Sequence, residues 1–127
     1  QALRMIHKSP EVLERARQRG DRANVGYLLG VIAKTCVEMG DLQAAARKFE
    51  EQDAATDGDP VGRFFVARFW SELHARPDLA IGWLKRIIDK REAEIANGQP
   101  LDHKHDKLVQ SAREMMAELE TRIAPRG

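Results

Sequence analysis

A chain of 127 residues, 32% of them charged, has the material for one helical domain and contains no run of 18 apolar residues that could cross a bilayer. Its 21 Lys and Arg against 20 Asp and Glu leave a net charge of +1, so bulk charge alone does not draw it to nucleic acid or to a membrane surface. One cysteine excludes an intrachain disulfide framework and suits a reducing compartment, the cytoplasm.

The chain opens at Gln1 without Met or a signal-peptide pattern, which implies a trimmed chain or a piece of a longer one. Apolar residues recur at three and four without alternating runs, so every regular element reads as a helix. Leu3, Met5 and Ile6 read as the tail of a preceding helix. Ser9 and Pro10 start the first secure helix, with Glu11 and Glu14 facing the positive end of its dipole, and Gly20 ends it. Asp21 caps a second helix, whose Val25, Leu28, Leu29, Ile32, Cys36 and Met39 form an apolar face until Gly40. Cys36 among these neighbours reads as a buried structural residue. Asp41 caps a third helix running to about Thr56.

The TDGDP turn follows, with Asp59 as cap and Pro60 in the first turn of a fourth helix. Val61, Phe64, Phe65, Val66, Phe69, Trp70 and Leu73 cover most of that helix, which predicts burial on several sides. Pro77 opens a fifth helix to about Ala96, with Leu79, Trp83, Leu84, Ile87, Ile88 and Ile95 inward, and NGQP breaks the chain. Asp102 starts a last helix whose Leu108, Ala112, Met115, Leu119 and Ile123 form a single stripe, the pattern of an end cap. Glu118 and Arg122 stand one turn apart in the favourable order.

Charge is uneven along the chain. Residues 1 to 36 hold Arg4, Lys8, Arg15, Arg17, Arg19, Arg22 and Lys34 against Glu11, Glu14 and Asp21. Residues 37 to 59 hold Glu38, Asp41, Glu50, Glu51, Asp53, Asp57 and Asp59 against Arg47 and Lys48. Solvated helix faces account for such runs, and they also steer a charged partner or a second copy of the chain.

A shift of 35 residues takes Leu29 to Phe64, Ile32 to Ala67, Ala45 to Ala80 and Phe49 to Leu84, which favours an internal duplication. The stretch 26 to 60, with Leu29, Ile32, Ala33, Cys36, the Gly40-Asp41 corner, Ala45, Phe49 and Pro60, resembles a tetratricopeptide repeat. Cys36 stands where that family carries an aromatic residue, and Gln52 where it carries a late alanine. The resemblance implies an all-α fold: antiparallel helix pairs in a right-handed array of about six helices. Residues 1–127 would then form one domain, with a first repeat over 26–60, a degenerate second over 61–95 and a capping helix over 102–124. It also implies a helix-lined groove for a partner helix or peptide, faced by Tyr27, Lys34 and Glu38 from one unit and Phe65, Phe69 and Leu73 from the next. So short an array predicts self-association or docking on a longer chain.

No catalytic motif is present, so the chain reads as a non-enzyme without cofactor. Asp102, His103, His105 and Asp106 have the chemistry of metal ligands, but flanking Lys104 and Lys107 and a solvated helix start give the simpler reading, and no metal site is assigned. His74 reads as a last-turn residue rather than a base. A second reading makes the chain a small helical subunit of a nucleic-acid complex, touching phosphates through Arg15, Arg17, Arg19 and Arg22, extended by Arg63, Arg68, Lys85, Arg86, Lys90 and Arg91. The first reading is a protein-interaction module, an adaptor or scaffold.

Overall fold

The structure, a computed structural model, describes residues 11–100 and 102–123, the side chain of His103 excepted. Leu3, Met5, Ile6, Ser9 and Pro10 lie outside the described residues. Within them all regular structure is helical, and the fold is all-α. Helix α1 covers 11–18, α2 Arg22–Glu38, α3 Leu42–Ala55, α4 Pro60–Arg68, α5 Pro77–Ala96 and α6 His103–Ile123. A π-helical turn, Phe69–Leu73, continues α4. The chain divides between Asp59 and Pro60 into two compact units, α1 to α3 and α4 to α6.

Local chemistry sets the corners. Gly20 and Gly40 take φ of +68° and +83°, a left-handed conformation that glycine reaches without a Cβ clash. Each closes a Schellman motif: Gly20 and Asp21 N–H donate to Arg17 and Ala16 carbonyls, and Gly40 and Asp41 N–H to Val37 and Cys36 carbonyls. Both aspartates then cap the next helix, Asp21 accepting from Asn24 N–H at 3.2 Å and Asp41 from Ala44 N–H at 3.0 Å. Two successive Gly-Asp corners therefore fold α1 onto α2 and α2 onto α3.

In the first unit Leu13, Ala16, Val25 and Leu29 form a buried cluster flanked by Leu28, Ile32 and Ala55. Ala33, Ala45 and Phe49 are buried between α2 and α3. Glycines tighten the same contact. A Cβ on Gly26 would lie 2.6 Å from Thr56 Cγ2, and one on Gly30 would lie 2.8 Å from Gln52 Nε2. Gln52 Nε2 donates to the Gly26 carbonyl at 2.7 Å, so the polar residue at the late-alanine position ties the helices together instead of separating them. Cys36 is half-buried, and Met39, expected on the apolar face, is 51% exposed because it caps α2 at the corner.

In the second unit α5 packs on α4, on the π turn and on α6. Trp70, Leu84, Ile87 and Leu119 are almost wholly buried. The inner row of α6 is Val109, Ala112 and Leu119, while Leu108 and Met115 sit half-buried at its edges and Ile123 is exposed. Ile95, expected inward, is exposed too, because α5 has turned its buried row to Arg91 by that point. The expectation that α4 is covered on several sides also fails: Val61 and Phe65 stand in solvent.

Phe49, one turn after Ala45 on α3, is 3% exposed. Phe49→Ala should destabilise the protein by about 3–5 kcal/mol, measured by chemical denaturation. A loss below about 1 kcal/mol would show that the corner does not depend on the ring.

Candidate functional site

The exposed apolar surface of the second unit begins on α4. Val66, Ala67 and Trp70 point inward, while Val61 and Phe65, one turn apart on the opposite side, are 54% and 65% exposed. In an unbroken α-helix Leu73 would lie about 120° around the axis from Val61, twelve residues on. The wide turn at Phe69–Leu73 takes up one extra residue, which sets the chain back by about 100° and brings Leu73 to within about 20° of Val61. Leu73 is 70% exposed. On this helical geometry Val61, Phe65 and Leu73 fall on one outward strip roughly 16 Å long.

Phe69 is the first residue of the π turn. Its ring stacks edge-on against Trp70 at 5.4 Å and lies 4.4 Å from the ring of His74, and only 8% of the residue is exposed. The turn closes through Arg76 N–H, which donates to the Trp70 carbonyl at 2.7 Å across Ala75 at φ +49°. A non-glycine residue held left-handed costs on the order of 1 kcal/mol, here offset by the buried aromatic group. Beside the strip, Arg68 and Glu72 pair through two hydrogen bonds of 3.2 and 3.4 Å, so this part of the rim carries no net charge.

Of the six residues expected to face a groove, Tyr27, Lys34 and Glu38 share one exposed face of α2 in the first unit. Phe65 and Leu73 are exposed in the second, and Phe69 belongs to the core. The basic residues are distributed differently. Arg17 lies 3.9 Å from Glu51, and Arg22 forms an ion pair with Asp57. The acidic run of residues 37 to 59 therefore folds back on the basic run before it, while Arg15, Arg17, Arg19 and Arg22 all remain exposed. Arg86 lies over the Trp83 ring at 4.1 Å, its carbonyl accepts from Arg63 Nη1, Lys90 is half-buried and Arg91 is buried.

Arg91 was not legible as structural from its neighbours in sequence, although it continues the inward row of Leu84, Ile87 and Ile88. Its Nε donates to Asp106 Oδ1 at 2.6 Å, and its Nη2 to Asp106 Oδ2 at 3.3 Å and to the Pro100 carbonyl at 3.1 Å. Glu94 Oε1 is 3.6 Å from Arg91 Nη1 and 3.9 Å from His105 Nδ1. Asp102 accepts from the N–H groups of Lys104 and His105 as the cap of α6. The carboxylates of LDHKHDK are thus occupied in starting α6 and in fastening it to α5. The hydrogen bond from Arg91 holds the Asp106 carboxyl below the usual carboxylate range, against the opposing effect of burial.

No family model, curated protein or solved structure matches this chain.

Because the Asp106 pKa is lowered in the folded state, its stabilising contribution is present above the unfolded value near pH 4 and is lost as pH falls through the folded value. Melting temperature should therefore drop on acidification below about pH 4. The paired variant Arg91→Met with Asp106→Leu, which removes both charges, should keep the helical fold and show a shallower acid limb in thermal melts followed by circular dichroism. An unchanged limb would assign the acid sensitivity to other carboxylates.

Proposed function

We propose that this chain is a non-enzymatic interaction module, an adaptor or scaffold, that takes a partner helix or extended peptide along Val61, Phe65 and Leu73. The observation that carries the reading is the alignment of these three exposed side chains by the π turn. An aromatic ring flanked by aliphatic groups one to two turns away is the form of anchor surface onto which an amphipathic helix lays its apolar face. Tyr27, beside Lys34 and Glu38 on α2, gives the first unit an exposed aromatic of the same kind.

The α2–α3 hairpin supports a tetratricopeptide-like unit within this reading. Its Gly-Asp corner, buried Ala33 and Ala45, and Phe49 beside them are the features on which the resemblance rests. A chain with one half-buried cysteine and no helix, among the described residues, long and apolar enough to cross a membrane fits a cytoplasmic partner. The nucleic-acid reading is weaker, because the carboxylates of Glu51 and Asp57 stand beside Arg17 and Arg22 and offset the positive potential that phosphates would meet.

The test is affinity capture from nuclease-treated native lysate with the wild type and with the double variant Phe65→Asp, Leu73→Asp. Both sites are mostly exposed, so each substitution should change stability by no more than about 0.5 kcal/mol. A protein retained by the wild type should bind the variant at least about tenfold more weakly. Equal capture by the two would remove the strip from the binding surface, and loss of the partner on nuclease treatment alone would shift the reading to the arginines.

A further inference from the structure

We propose that Asn97-Gly98, at the carboxyl end of α5, is a site of spontaneous deamidation and that the helix cap gates it. The backbone nitrogen of Gly98, once deprotonated, attacks Asn97 Cγ. The new C–N bond closes a five-membered succinimide, and the side-chain nitrogen leaves as ammonia. Water then adds to either ring carbonyl, giving aspartate or isoaspartate with no change of oxidation state. Glycine is the least hindered residue to supply that nitrogen, and a Cβ at Gly98 would meet nothing within 4 Å. Both residues are exposed, so water has access.

The fold opposes the first step. Gly98 N–H donates to the Ile95 carbonyl at 3.0 Å, and Gln99 N–H to the Glu94 carbonyl at 3.0 Å. Asn97 itself is held at φ −88° and ψ 9° by its own N–H bonds into α5. Ring closure requires Gly98 N–H to be released and the Asn97 backbone to rotate, so the reaction runs through molecules whose last turn of α5 has opened. Isoaspartate adds a carbon to the main chain at this corner, which prevents the two cap bonds from re-forming together. The new negative charge also faces the negative end of the α5 dipole. Pro100, whose carbonyl receives Arg91 Nη2, lies two residues beyond Gly98. The change is therefore a one-way loosening of the α5–α6 connection.

The full chain would be incubated at mildly alkaline pH, folded or in guanidinium chloride, then digested and the Asn97 peptide weighed for conversion of amide to acid. Asn24, followed by β-branched Val25 within α2, is the internal reference. Asp57-Gly58 isomerises without a change of mass and does not enter the readout. Conversion at Asn97 should be at least about tenfold faster in denaturant than in the folded chain. Gln99→Pro, which deletes one cap N–H and keeps the Asn-Gly pair, should fall between the two. No conversion in denaturant would overturn the site, and equal rates in the folded and denatured chains, or a folded rate unchanged in Gln99→Pro, would overturn the gate.

Discussion

Two consecutive aromatic side chains, Phe69 and Trp70, are both buried at the point where the helix widens, and α5 packs against that turn. Neighbouring residues on a helix stand about 100° apart, so burying both takes a broad inward face. In the wide turn Phe69–Leu73, the Phe69 ring lies edge-on to Trp70 and His74 lies against Phe69. The same widening carries Leu73 out of the core row and into line with Val61 and Phe65. The buried aromatic pair and the exposed Leu73 thus belong to one widened turn.

The two units meet the problem of close packing by different means. In the first, helices approach through missing atoms: Gly26 and Gly30 leave room that Thr56 and Gln52 occupy, and the Gln52 amide returns a hydrogen bond to the backbone exposed by the gap. In the second, α5 and α6 are fastened by a charge taken almost wholly out of water. Arg91 is tolerated there because its donors are spent on Asp106 and the Pro100 carbonyl, with Glu94 nearby. A buried guanidinium without them would destabilise the fold strongly. This arrangement fixes where α6 begins as well, since Asp106 also accepts from the Asp102 N–H.

Features that depend on a few neighbouring residues were legible in the sequence. Gly20, Gly40, Asp21, Asp41, Pro77 and Asp102 act through their own conformations and hydrogen bonds, and each marks a helix boundary in the structure. What required the fold was hidden for a common reason. Nothing within RFFVARFWSEL breaks the helical period, because the π turn answers to packing beneath Trp70. The partners Arg91 and Asp106 sit on separate helices, 15 residues apart, and each looks like an ordinary surface charge in its own stretch. The role of Gly26 and Gly30 exists only where Thr56 and Gln52 of the neighbouring chain segment lie against them. The candidate strip was therefore half visible: Phe65 and Leu73 could be named, but a straight helical repeat kept Phe69 beside them and left out Val61.

The tetratricopeptide resemblance and the proposed binding strip rest on different residues and stand or fall separately. The resemblance draws on the corner and small-residue contact of α2 and α3, all of it needed for packing. The strip draws on Val61, Phe65 and Leu73, whose large exposure leaves them little part in packing. Phe65 and Phe69 are the same residue type one helical turn apart, yet the second is held in an aromatic cluster while the first meets water. Fold stability accounts for Phe69. It does not account for Phe65, and this difference between two phenylalanines is the physical ground on which the proposal of an α4 recognition surface rests.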